Sequence, residues 1–169
     1  MVIKIAEQFK KLDKVVVNTG IGRLSSQPNF NDKILPEIVK EFSMITGQKP
    51  MLRPASESIA SFKLRSGTVV GLKATLRKQR MAQFLNRVIN LTLPRVRDFR
   101  GIGLKNVDKS GNLSFGVKEQ AVFSEISPDI SKVNFGVEIT VVPKGVKSRD
   151  EAIAIYKEIG IPFSKQKHG

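Results

Sequence analysis

Apolar residues recur along this chain with two periods, and the switches between them mark out the elements. Strands send successive side chains to opposite faces. Lys14 to Asn18, with Val15, Val16 and Val17 inside it, reads as a strand. Ser58 to Arg65 puts Ala60, Phe62 and Leu64 on one face and Ser61, Lys63 and Arg65 on the other. In Val69 to Arg77, Val70, Leu72, Ala74 and Leu76 oppose Val69, Lys73, Thr75 and Arg77. Ser66-Gly67-Thr68 between them supplies a short turn, so the two segments read as a hairpin with one apolar and one basic face. Val133, Phe135, Val137, Ile139 and Val141 alternate cleanly, a strand ended by Pro143.

Helical spacing fills the intervals. Val2 to Leu12 reads as a short amphipathic helix. Asn31 or Asp32 can cap a helix to Thr46, with Ile34, Leu35, Ile38, Val39, Phe42 and Ile45 as its stripe and Gly47 as its stop. Lys78 to Leu93 carries Met81, Phe84, Leu85, Val88 and Leu91, and Pro94 is expected to end it. Ser148-Arg-Asp-Glu151 is a capping box opening a last helix, stopped by Gly160. Short strands are expected near 102–107 and 113–118 around a turn at 109–112, with 119–132 irregular. This order predicts a single α+β domain over residues 1–169: an antiparallel sheet with helices packed on one face and the other face open.

Charge changes the picture. Of a formal +14, a net +11 falls in residues 49–105, which hold 13 Lys or Arg against Glu57 and Asp98. A diffuse basic bias favours solubility, whereas a concentrated one is the footprint of a polyanion. Arg77, Lys78 and Arg80 crowd the start of a helix, where the macrodipole disfavours cations. Either phosphates approach that end or the long side chains extend into water.

Candidate chemistry is sparse. There is no Cys, and the only histidine is His168 beside the C-terminus. The usual nucleophile–base pairs and thiolate or imidazole metal sites are therefore not expected, and no cofactor or catalytic residue is assigned. No run of 18 apolar residues is present, so a cytoplasmic protein without a membrane partner is expected. Gly20 and Gly22 lack the rest of a nucleotide-binding fingerprint and fit a close backbone approach instead. Asn18, Gln48 and Thr75 are candidates for reading base edges or 2′-hydroxyls. Because the aromatics fall mostly on apolar faces, recognition of a folded RNA by shape and backbone is expected, not stacking of single strands.

Six motifs occur in a telling order: Asn18-Thr-Gly-Ile-Gly22, Gly47-Gln-Lys-Pro50, Ser58-Ile-Ala-Ser-Phe-Lys-Leu-Arg65, Leu72-Lys-Ala-Thr-Leu-Arg77 with Arg80-Met81, Pro94-Arg-Val-Arg-Asp-Phe-Arg-Gly101 and Gly116-Val-Lys-Glu-Gln120. From about Leu12 to Lys165 the chain resembles the bacterial-type large-subunit ribosomal protein five family, which binds 5S rRNA. The resemblance implies a protein that attaches 5S rRNA to the central protuberance and also meets 23S rRNA. It puts Asn18, Gln48, Phe62 and Thr75 on the 5S-contacting surface, with Lys63, Arg77 and Arg80 nearby. Phe62 is placed there against the alternation, which buries it. The tip Arg65, Ser66, Gly67, Thr68, Val69, Val70 and Gly71 is similar to a loop reaching the P-site tRNA. Residues 101–118 and 131–145 resemble the part facing a small-subunit head protein across an intersubunit bridge. The free protein is expected to be monomeric. Relative to the family pattern, the segment before Leu12 is short, the 23–33 loop is long, and Ser56 and Glu57 stand where basic residues are usual.

Overall fold

A computed structural model describes residues 9–59 and 64–164. Five strands form an antiparallel sheet in the order β2-β3-β1-β5-β4, and with its helices the fold is α+β, as the sequence predicts. The strands are β1 (Leu12–Gly20), β2 (Met51–Pro54), β3 (Val69–Leu76), β4 (Leu113–Val117) and β5 (Val137–Pro143). The helices are α1 (Leu35–Thr46), α2 (Lys78–Arg87) and α3 (Arg149–Ile159). The helix expected over 2–12 lies mostly outside the described residues, and Phe9 to Leu12 form a turn.

The described residues gather into two compact units. One holds the chain up to Val16, Thr75–Gly116 and the chain from Ile139; the other holds Val17–Ala74 and Val117–Glu138. In the first, α2 buries Met81, Ala82, Phe84 and Leu85, and α3 buries Ala152, Ile155, Tyr156 and Ile159. In the second, α1 buries Ile38, Phe42 and Ile45. The strands keep the expected alternation: Val15, Val17, Leu72, Ala74, Leu76, Ile139 and Val141 are buried, while Lys14, Val16, Asn18, Lys73, Thr75 and Thr140 are half-buried.

The hairpin departs from the reading of the sequence. The partner of β3 is β2, not Ser58–Arg65, with Met51 opposite Lys73, Leu52 opposite Leu72 and Arg53 opposite Gly71. The register then slips by one, so that Pro54 faces Val69. Proline has no N–H to give the ladder and is tolerated at an edge or bulge. Beyond it, Ala55 N–H donates to Thr68 O at 2.8 Å and Gly67 N–H to Ala55 O at 2.9 Å. Of the expected first strand, residues 60–63 lie outside the described residues, and among those described Ile59 bridges Leu64.

The helices differ at three points. α1 is preceded by a π turn, Phe30–Ile34, entered through Asn29 in the left-handed region, so the chain turns helical before Asn31 or Asp32 can cap it. Gly47 ends α1 as expected, at φ 71°. Pro94 does not end α2. The chain continues through a π segment, Val88–Thr92, into Leu93–Arg95. A proline clashes with the carbonyl four residues back, and a wide π turn opens the helix there. The extra residue also shifts the buried stripe: Thr92 and Leu93 are buried, and Leu91 is 48% exposed.

Two smaller corrections concern strands. Residues 102–107 are not a strand; Ile102 bridges Phe163, Leu104–Asn106 is a 3-10 turn, and Val107 bridges Leu113. The last strand begins at Val137, not Val133, because Gln120 takes the ladder's place: its Oε1 accepts from Phe135 N–H at 3.0 Å and its Nε2 donates to Val133 O at 2.5 Å.

One turn shows how the first unit is fastened. Gly111 adopts φ 84°, and a Cβ there would meet Ala152 Cβ at 2.9 Å. Asp108 Oδ1 and Oδ2 accept from Asn112 N–H and Nδ2 at 2.8 and 2.9 Å. Slight desolvation pushes the exposed Asp108 carboxyl up, but hydrogen bonds from the Asn112 side chain and the backbone of Asn112, Ser110 and Gly111 outweigh it and hold it below its ordinary value. The buried Tyr156 hydroxyl lies 2.7 Å from Gly111 O and 3.0 Å from Val141 O. Burial raises its pKa, so it stays a neutral donor at physiological pH.

Tyr156→Phe leaves two buried carbonyls without this donor. Denaturant titration should show a loss of about 1–2 kcal/mol at unchanged slope. Asp108→Ala tests the turn by pH. A carboxyl held low in the folded state stabilises above its unfolded value of about 3.9 and loses that effect as pH falls through the folded value. Wild type should therefore exceed Asp108→Ala in melting temperature at neutral pH, and the gap should close in strong acid.

Candidate nucleic-acid interface

β3 and the start of α2 position the densest group of cations. Lys73 and Thr75 stand on the half-buried side of β3, opposite Leu72, Ala74 and Leu76. Arg77 is extended and serves as the N-cap without a side-chain cap bond. Arg77, Lys78, Gln79 and Arg80 are all exposed. The first turn carries no acid to offset the helix dipole. Lys78 also adopts φ 52°, a left-handed conformation that disfavours any residue with a Cβ.

Acids that the sequence reading did not pair take hold of two candidate residues. Arg77 donates to Asp13 Oδ1 at 3.0 Å, with both side chains substantially exposed. Asp13 also lies 3.8 Å from Lys14 Nζ. In the other unit, Asn18 Nδ2 donates to Glu138 Oε2 at 2.7 Å. The second pair was legible, since alternation around Val137 and Ile139 puts Glu138 on the polar side. The Arg77–Asp13 pair needs two distant strands to meet, and no local pattern signals that.

The remaining candidates are distributed. Gln48 is half-buried just after α1, where its carbonyl accepts from Thr46 Oγ1 at 3.0 Å. Phe62 and Lys63 lie outside the described residues. The expected tip loop is divided: Arg65–Thr68 forms a turn, with Thr68 N–H to Arg65 O at 3.2 Å, but Val69, Val70 and Gly71 belong to β3. Ser66 N–H donates to Ser58 Oγ at 2.9 Å, and Ser66 Oγ to Ser56 O at 3.1 Å. Ser56 thus holds the turn through its backbone. Gly71 permits a close approach, since a Cβ there would meet Thr19 O at 3.1 Å.

Among the described residues, no group of three or more His, Cys, Asp or Glu could hold a metal ion, and no helix is long and apolar enough to cross a membrane. Fold and surface together define a basic α+β protein whose exposed cations suit phosphates. Residues 8–65 match the family described as ribosomal protein L5, and residues 69–163 match the C-terminus of that ribosomal family. Relatives named large ribosomal subunit protein uL5 include those of Geotalea uraniireducens, 49% identical over 92% of this chain and 84% of that protein, and Trichodesmium erythraeum, 45% identical over 96% and 92%. That of Malacoplasma penetrans is 43% identical over 97% and 85%. The chain belongs to the ribosomal protein L5 family. It is a structural constituent of the ribosome, located there in the cytoplasm, and not an enzyme.

If Asp13 restrains Arg77 in the free protein, Asp13→Asn should tighten RNA binding and steepen its salt dependence. Exposed ion pairs contribute less than about 1 kcal/mol, so the melting temperature should hardly move. Unchanged affinity in a salt-series filter-binding assay would show that the pair does not govern access.

Proposed function

We propose that this chain binds 5S rRNA and holds it in the large ribosomal subunit, also meeting 23S rRNA, with residues 1–169 acting as one RNA-binding domain. The observation that carries this reading is the run Thr75, Arg77, Lys78 and Arg80: a half-buried hydroxyl residue followed by three exposed cations at one strand–helix junction. Cations give affinity through phosphate, and rigid polar side chains give discrimination. The names of the uL5 relatives support the subunit assignment. Asn18, Gln48, Phe62 and Lys63 complete the proposed rRNA surface on the family resemblance.

The Arg65–Gly71 segment is proposed to reach the P-site tRNA. It is short, exposed at Arg65, Ser66 and Gly67, and anchored to Ala55, Ser56 and Ser58 by hydrogen bonds. Residues 101–118 and 131–145 are proposed to face a small-subunit head protein. The free chain is proposed to be monomeric.

Binding of purified protein to 5S rRNA and to an unrelated RNA of equal length tests the central claim. A clear preference for 5S rRNA is expected, and equal affinity for both would overturn it. Arg77→Ala should weaken binding and lower the salt slope by about one phosphate contact. Thr75→Ala should reduce the 5S preference several-fold with little effect on that slope.

A further inference from the structure

Within the first unit, an open cleft of about 460 Å³ lies beside the start of α2. Lys10, Asp13, Arg77, Lys78 and Lys144 line it, over a floor that includes Phe9 and Leu12. A volume in this range accepts a nucleotide-sized group. Four cations face one carboxylate, and Arg77 already holds that carboxylate. Lys78 and Lys144 carry no side-chain hydrogen bond or ion pair among the described residues. Lys144 is held in place by its backbone, which donates to Lys11 O at 2.8 Å. A site with this excess of positive charge suits an anion and repels a basic protein segment.

We infer that this cleft seats a backbone phosphate of the bound RNA, with Lys78 and Lys144 as its direct contacts. The inference rests on the RNA-binding reading above and deepens it, giving Lys78 a defined seat and adding Lys144, which lies outside that surface. Continuity supports RNA over a small free anion, because Arg77 belongs to both the cleft wall and the proposed RNA surface. Lys78 adds an independent argument. At φ 52° a lysine is disfavoured where glycine would be at ease, so its side chain is not there for the backbone's sake.

That conflict supplies the test. 5S rRNA is titrated over about 50–200 mM salt against wild type, Lys78→Gly, Lys144→Gln and, as a control, Lys109→Gln at an exposed position of the 108–112 turn. Lys78→Gly should melt at or above the wild-type temperature and still bind RNA several-fold more weakly, so stability and affinity move in opposite directions. For Lys78→Gly and Lys144→Gln, the slope of log K against log salt should become shallower by about 0.7–0.9 each. Wild-type slopes in both variants would overturn the inference. So would an equal loss in Lys109→Gln, since that is the signature of net charge alone. Shallower slopes together with equal affinity for an unrelated RNA would overturn the 5S reading while supporting the cleft as a phosphate seat.

Discussion

Side-chain alternation along the strands is the constraint from which the rest follows. Leu72, Ala74 and Leu76 must leave water, and the pleat then forces Gly71, Lys73 and Thr75 to the other side of the same strand. A slip of one residue would exchange the two sets and bury a lysine. The apolar side therefore fixes where the polar side points, with no separate device for aiming it. β1 obeys the same rule at the centre of the sheet order, where its Val15-Val16-Val17 run suits a strand with neighbours on both edges.

The polar side is not simply positive. Asp13 holds Arg77, and Glu138 holds Asn18. Such contacts contribute little to stability when exposed. Their effect is to occupy the guanidinium and the amide before a ligand arrives, so binding must first exchange these contacts. Carboxylates within a basic surface are in this sense competitors, and an RNA phosphate must displace Asp13 to take the same guanidinium.

Much of this was legible in the residues. The fold class, the alternation in β3 and β5, the capping residues Ser148 and Gly160 and the Gly47 stop all follow from local rules, and Ser148 Oγ does accept from Glu151 N–H at 3.3 Å. What stayed hidden depends on distant or cumulative effects. Ser58–Arg65 alternates as well as a strand should, yet Met51–Pro54 takes the place beside β3, because pairing depends on register across the whole 51–76 excursion. Pro94 carries a strong stop signal, but a π segment absorbs it. Of the candidate site, Arg77, Lys78 and Arg80 were readable as one basic helix start. The Asp13 contact and the approach of Lys144 to the cleft required the folded chain.

The outer margin of the sheet carries a last consequence. β2 is only four residues long, exposed throughout, slipped in register at Arg53 and closed by Pro54, which has no hydrogen to offer a neighbour. A protein destined for a particle must first survive as a lone chain among many copies of itself. Open margins invite strangers to add on, and brevity, a bulge and a proline are the ordinary ways of refusing them. The same irregularity that frustrates the reading of the hairpin thus protects the newly made molecule from its own kind.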